Sequence, residues 1–319
     1  MKVELAQLEG RDGDTAYNLE RTVQAIETAA DDSQLLVFPE TYLTGFPTID
    51  NVARIAEPLE GEVIAAVHRA ARRRGISVAV GVAEEDQGRY FNTTVLITPQ
   101  EGVALRYRKT HLWSGEREVF EAGDRLVTGL WNGIRVGLLI CYDIEFPETA
   151  RALGQLGAEL LIVTNGNFDP FGSTHRTCIM ARALENQAFA VMVNRVGVGD
   201  DGLVFAGGSA VVDPFGDMQL EAGRKEARLR TRLDLDHLRR VREPYIYDRH
   251  QRLRLGARSS KTEPAGNCSS PRATPTPASS SLLLPNTQPP RAVSNNHYSE
   301  WSWLNSNAPY PWAPWCSSG

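Results

Sequence analysis

Three apolar runs in this sequence each end on, or next to, a group that can do chemistry. They are Leu35-Leu36-Val37-Phe38-Pro39-Glu40, Leu105-Arg106-Tyr107-Arg108-Lys109 and Gly137-Leu138-Leu139-Ile140-Cys141. A carboxylate, an ammonium and a thiol brought together form a nucleophilic set. The thiolate attacks, the carboxylate moves the proton, and the ammonium steadies the developing oxyanion. Taken singly, each residue also has an ordinary reading. Cys141 would be a core cysteine, Glu40 a solvated loop residue, and Lys109, among Arg106, Arg108 and His111, part of a basic surface turn. Two local features favour the chemical reading. Cys141 precedes Tyr142-Asp143 and then Pro147, the pattern of a strand entering a tight turn and a helix, a setting that lowers a thiol pKa. Leu43, Phe46 and Pro47 follow Glu40 and would wall it in, and burial raises a carboxylate towards the range of a general base.

The elements that must position these groups alternate between strand and helix patterns. Strands are expected at Val3–Leu8, Gln34–Phe38, Ile76–Ala83, Tyr90–Thr98, Gly102–Arg108, Ile134–Ile140, Glu159–Thr164, Ala190–Asn194, Val204–Val212 and Ala227–Leu233. Helical periodicity covers Asp14–Ala30 with Asp14 as N-cap, Gly61–Arg74 with a basic end, Pro147–Leu156 and His175–Gln187. Several strands follow one another directly, so the reading is an α/β domain with mixed sheets. Ends of strands on one side of a sheet are where such folds assemble sites. No GxGxxG or Walker A pattern occurs, which leaves dinucleotide and P-loop folds without support.

The 319 residues carry 34 basic and 39 acidic side chains, and this balance argues against a nucleic-acid binder. No apolar run nears the ~20 residues of a membrane span, and Met1-Lys2-Val3-Glu4-Leu5 reads as a strand rather than a secretory leader. Cys141, Cys178, Cys268 and Cys316 are too widely spaced for a disulfide scaffold or a paired-cysteine metal site. A cytoplasmic protein with reduced thiols is expected. Composition changes near Gly256. Residues 256–319 hold ten of the 18 prolines and only six charged residues, too few apolar and too many turn-forming residues for a packed core. The expected organisation is a domain over 1–255 and a disordered tail over 256–319. A proline- and tryptophan-rich binding segment and off-frame translation are the alternatives for the tail.

Read together and in order, Phe38-Pro-Glu40, Tyr107-Arg-Lys-Thr-His-Leu112 and Ile140-Cys-Tyr-Asp-Ile-Glu-Phe-Pro-Glu148 resemble the carbon–nitrogen hydrolase (nitrilase) superfamily. The resemblance covers about residues 1–255. It implies a four-layer αββα sandwich and a triad with Glu40 as proton acceptor, Lys109 as oxyanion stabiliser and Cys141 as nucleophile. It also implies a second glutamate after the lysine, placed on Glu116 with Glu118 as the fallback, and a backbone oxyanion donor at Tyr142. No cofactor and no metal are implied. Pairing through Pro147–Leu156 and His175–Gln187 is implied, giving a homodimer or larger homo-oligomer.

Within the superfamily the chain most resembles amidases of amino-acid or ω-amino amides, the R-stereoselective type first and the 5-aminopentanamide type next. The stretches that carry this are Ile162-Val-Thr-Asn-Gly-Asn-Phe-Asp-Pro-Phe171 and Asp200-Asp-Gly-Leu-Val-Phe-Ala-Gly-Gly208. The first is read as a loop lining the pocket with Asn165, Asn167 and Phe168. Asp169 or Glu116 would meet a substrate amine, Asp169 having a plain turn role before Pro170 as its alternative. The expected reaction is hydrolysis of a small carboxamide through a cysteine thioester. An N-carbamoyl amidohydrolase and a non-catalytic binding relative are the competing readings. His111 and His175 have no role in the triad, and His175 is expected to satisfy local backbone. Cys178 is expected in the core, and Arg182 at a packing or dimer contact.

Overall fold

The computed structural model describes residues 1–242, 247–252 and 282–283. Among these, two six-stranded sheets dominate. The first has the order Ala227–Arg232 (β13), Lys2–Gln7 (β1), Leu35–Val37 (β2), Ser77–Asp86 (β3), Arg89–Thr98 (β4), Gly102–Arg108 (β5). The second has the order Met218–Glu221 (β12), Ala210–Val212 (β11), Phe189–Asn194 (β10), Leu160–Asn165 (β9), Ile134–Ile140 (β8), Thr128–Trp131 (β7). Arg125–Leu126 (β6) lies outside both.

Each sheet has three parallel strands flanked by antiparallel ones. The parallel sets are β1, β2, β3 and β8, β9, β10. Parallel neighbours need long crossovers, and helices supply them. Thr15–Glu27 (α1) and Glu62–Arg74 (α3) make the crossovers in the first half. The short helix Val52–Ile55 (α2) lies between them in sequence. Pro147–Gln155 (α5) and Gly172–Asn186 (α6) make the crossovers in the second. The antiparallel neighbours β3–β4, β4–β5, β7–β8 and β11–β12 need only short turns, while β13 returns to β1 from far along the chain. Gln87-Gly88 joins β3 to β4 and Asn132-Gly133 joins β7 to β8, all four residues at positive φ, as tight two-residue hairpins require.

Strand alternation builds the layers. Leu36, Val78 and Val80 pack with Ile26 of α1 and Val67 and Ala70 of α3. Their neighbours Leu35, Val37 and Ala79 turn the other way and join the core shared with the second sheet. Two polar contacts also cross between the sheets: Thr94 to Thr164 at 2.5 Å and Trp131 Nε1 to Ser77 at 2.9 Å. Leu153 of α5 and Ile179 and Ala183 of α6 complete the outer core of the second half. The result is the expected αββα arrangement.

Local differences have identifiable causes. The strand expected over Val204–Val212 shrinks to Ala210–Val212, because Gly207 and Gly208 adopt φ of 62° and 70° and break the extended run. β7 and β12 were not expected. Asn132-Gly133 is the hairpin signal that marks β7. Helix α6 begins at Gly172, three residues before His175. Asp14 caps α1 as expected, accepting from Tyr17 N. The tail expected to be disordered lies outside the described residues, apart from Leu282–Leu283, which pair antiparallel with β6.

Candidate active site

The three chemical groups converge because the strands bearing them all end at the same side of the stacked sheets. Glu40 lies in the turn after β2, where Phe38 N bonds Ala79 O and Glu40 N bonds Asn165 O across the two sheets. Thr41 follows at φ 44°. Gly81 on β3 makes this turn possible, since a Cβ there would fall 2.2 Å from Thr41 N and 2.7 Å from the Glu40 carbonyl carbon. Cys141 is the first residue past β8 and opens a 3-10 turn, Cys141–Glu145. Its φ is 43°, a left-handed conformation that costs roughly 1–2 kcal/mol for a residue with a side chain. The turn is held by Asp143 Oδ2, which accepts from Ile140 N at 3.0 Å. Arg182 of α6 donates to Ile144 O at 2.8 Å. Arg182 therefore braces the nucleophile's turn.

Lys109 follows β5 and is almost fully buried, as is Glu40. Lys109 Nζ donates to Glu40 Oε1 at 2.7 Å and to Glu116 Oε2 at 2.6 Å. Asn92, buried on β4, donates its Nδ2 to the same two carboxylates, at 2.8 Å to Glu40 Oε1 and 2.7 Å to Glu116 Oε1. Glu116, in the short helix Glu116–Val119 (α4), also accepts from Trp113 N at 2.7 Å. Both side-chain bonds of Glu40 fall on Oε1. Its Oε2 rests against Gly166, where a Cβ would come within 2.7 Å of it.

Charge follows geometry. Burial raises Glu40 above the usual carboxylate range, against the opposing charge of Lys109. Burial alone would depress Lys109, but the charges of Glu116 and Glu40 overcome it and hold the ammonium well above its ordinary range. Cys141 is pushed well above the ordinary thiol range, first by burial and then by the negative charge of Glu40. Lys109 and the Gly166 N–H oppose the shift. The turn geometry had suggested a lowered thiol pKa. The structure reverses that expectation, because burial of the thiol, reinforced by the charge of Glu40, outweighs the turn.

These groups open onto a cavity of about 550 Å³. Glu40, Lys109, Cys141, Glu116, Tyr142, Asn167 and Phe168 line it, and so does Glu118. Two residues expected there do not. Asn165 is fully buried behind the wall, its Oδ1 on His175 Nδ1 at 3.0 Å and its backbone carbonyl on Glu40 N. Asp169 points away and forms an exposed ion pair with Arg224. Trp113 does line the cavity, edge-on to Phe168 with ring centroids 5.1 Å apart.

Residues 2–243 match the carbon–nitrogen hydrolase family. The chain belongs to it. An (R)-stereoselective amidase from Pseudomonas sp. is 61% identical over 261 residues, 82% of this chain and 95% of that protein. A 2-oxoglutaramate amidase from Bacillus subtilis is 30% identical, over 72% and 90% of the two chains. Among solved structures, a CN-hydrolase superfamily protein from Xanthomonas campestris with an arsenic adduct in its active site aligns at TM-score 0.75 and 27% identity, covering 80% of this chain and 98% of its own. An amidase from Nesterenkonia sp. aligns at TM-score 0.69 and 30% identity, covering 75% and 92%.

Beyond the three motifs, this carbon–nitrogen hydrolase places other residues at the site that the sequence reading passed over. Asn92 is one, and only its occurrence as a buried amide inside a strand marks it. Asp143 is another. Its Oδ1 accepts from His111 N, His111 Nδ1 and Thr110 Oγ1, each at 3.0 Å, while its Oδ2 accepts from Tyr107 at 2.8 Å. It ties the segment after Lys109 to the turn of Cys141, and this gives His111 a role. His175 bonds the side chains of Asn165 and Glu145 rather than local backbone. Cys178 is partly exposed, with its sulfur packed on the core edge. Among the described residues, no group of three or more His, Cys, Asp or Glu could hold a metal, and no helix is long and apolar enough to cross a membrane.

Proposed function

We propose that this carbon–nitrogen hydrolase is a cysteine amidase that converts a small aliphatic or amino-acid carboxamide to the acid and ammonia. The observation that carries the reading is the buried Glu40–Lys109–Glu116 network that lines one cavity together with Cys141. Cys141 holds its proton at neutral pH, so attack requires a base, and Glu40 Oε2 takes that proton as the sulfur bonds the amide carbon. The ammonium of Lys109 has three protons, two engaged with carboxylates, and the third meets the oxyanion together with the Tyr142 N–H. Glu40 returns the proton to the departing nitrogen, and ammonia leaves. Water then attacks the thioester, Glu40 takes its proton, and the carboxylic acid and the Cys141 thiol are released. Glu116 fixes Lys109 and Asn92 and keeps the network's charge. The 61% identical amidase supports R-selectivity for the substrate.

Ammonia release should be followed over a panel of both enantiomers of piperidine-2-carboxamide, 5-aminopentanamide, an N-carbamoyl amino acid and an aliphatic nitrile, with Cys141→Ala as control. Cys141-dependent turnover of one piperidine enantiomer is expected. Turnover of the carbamoyl compound or the nitrile alone would overturn the substrate class. Turnover that survives in Cys141→Ala would overturn the mechanism. The protein is further read as a cytoplasmic homo-oligomer. Leu184, half-exposed on α6 beside the exposed Phe215 segment, supports pairing through that helix. Light scattering on the eluting protein tests this, and a monomeric mass would exclude it.

A further inference from the structure

An amino-acid amide carries an ammonium beside its carboxamide, and the cavity must meet that charge. The two acidic residues that the sequence offered for this are both spent. Glu116 accepts from Lys109, Asn92 and Trp113 N, while Asp169 faces Arg224 outside the cavity. Asp12 also lines the cavity, but it is held by Arg195 at 2.5 Å, Phe46 N at 2.9 Å and Asp200 N at 3.1 Å. Glu118 and Asp201 line the cavity as exposed residues, from a four-residue helix and a loop.

Glu145 is different. It closes the same 3-10 turn that Cys141 opens, so its position is fixed relative to the nucleophile. It is half-buried and lines the cavity. Its Oε1 lies 3.0 Å from Nε2 of His175, which is 2% exposed. His175 Nδ1 lies 3.0 Å from Asn165 Oδ1, and the Asn165 carbonyl accepts from Glu40 N at 3.2 Å. A chain of buried groups thus anchors one oxygen of Glu145 to the catalytic turn. The other oxygen, Oε2, takes no hydrogen bond among the described residues. Among the described residues, the one cation in the lining, Lys109, is shared by Glu40 and Glu116. No further cation among the described lining residues is left to pair a substrate carboxylate, and an unpaired carboxylate buried among carboxylates is disfavoured.

We propose that Glu145 binds the ammonium of the substrate and is the specificity-determining residue of this site. Its substrates are then carboxamides that bear a protonated amine and no free carboxylate. This rests on the amidase reading above. It also gives stereoselection a physical form. The carbonyl is fixed at Cys141 and Lys109, the ammonium at Glu145, and the hydrocarbon against Trp113, Phe168 and Phe171. Three unlike partners around one carbon accept one enantiomer.

The test compares piperidine-2-carboxamide with cyclohexanecarboxamide, which has the same ring and no amine, in the wild type and in Glu145→Gln. The preference for the amine-bearing amide, as a ratio of kcat/KM values, is expected to fall about 10–100-fold, mostly through KM, the scale of one charged hydrogen bond. Calorimetric binding of piperidine-2-carboxamide to Cys141→Ala should weaken to a similar degree when Glu145→Gln is added. An unchanged ratio, or equal losses on both substrates as expected of a purely structural prop for His175, overturns the proposal. A wild type that hydrolyses cyclohexanecarboxamide at least as well as the amine-bearing amide overturns the ammonium site and leaves the amidase reading intact. A wild type that hydrolyses neither overturns both.

Discussion

Glu40 must be ionised to take a proton, and Cys141 must be protonated to give one. Burial raises Glu40, so the acid limb of kcat/KM should lie above the ordinary glutamate range, with activity lost as pH falls through it. The alkaline limb should lie above the ordinary thiol range, because Cys141 and Lys109 are both raised. A pH–rate profile checks both, and an acid limb at or below pH 4 would contradict the burial argument. Glu40→Gln separates two effects. It removes the base, so amide turnover should fall by at least ~10³. It also removes a negative charge that raises Cys141, so the pH profile of iodoacetamide alkylation should move to lower pH. Asn92 donates one amide group to two carboxylates. Asn92→Asp would set a third carboxylate among them and should lower kcat by about 10²-fold, read in steady-state kinetics with folding followed by circular dichroism.

At the scale of elements, close backbone approach and one buried carboxylate hold the site in register. Gly81→Ala would drive a Cβ into the backbone of Glu40 and Thr41, where no side-chain rotation relieves it. It should cost about 1–3 kcal/mol by overpacking and reduce kcat more than it raises KM. Urea unfolding and kinetics on the same sample measure both, and full activity in the variant would show that the Glu40 turn tolerates displacement. Asp143 joins the segment after β5 to the turn after β8. Asp143→Ala leaves several buried donors without an acceptor and should destabilise the protein by about 2–4 kcal/mol, with a loss of turnover although Asp143 touches no substrate.

At the largest scale, the described residues form two similar half-sandwiches, and neither holds a complete site. Glu40, Asn92, Lys109 and Glu116 come from the first half, while Cys141, Gly166 and Asn167 come from the second. Catalysis therefore depends on the packing between the sheets. The family match ends at residue 243. Removing residues 256–319 should leave kcat/KM within about twofold of the full chain. A larger loss, measured on purified truncated protein, would show that the last segment supports the site.

Residue type and order alone marked an α/β domain with mixed sheets and the three groups that converge, and their motifs carried the resemblance that implied the family and its αββα sandwich. Each of those signals is local: a buried run, a punctuating proline, a reactive side chain at a strand end. The crossover helices were equally readable where periodic apolar positions marked them, whereas the hairpin signal at Asn132-Gly133 went unread. Only tertiary structure decided the rest. Asn92 matters because the fold brings two carboxylates, Glu40 and Glu116, within reach of its amide. Asp169 left the site because Arg224, 55 residues away in sequence, took its charge. Glu145 entered it because His175 on α6 fixes one of its oxygens and leaves the other for the cavity. The thiol of Cys141 is raised rather than lowered because the fold buries it and then sets the charge of Glu40 near it. Electrostatic energy depends on distance and on burial, and a sequence lists neighbours along the chain, not neighbours in space.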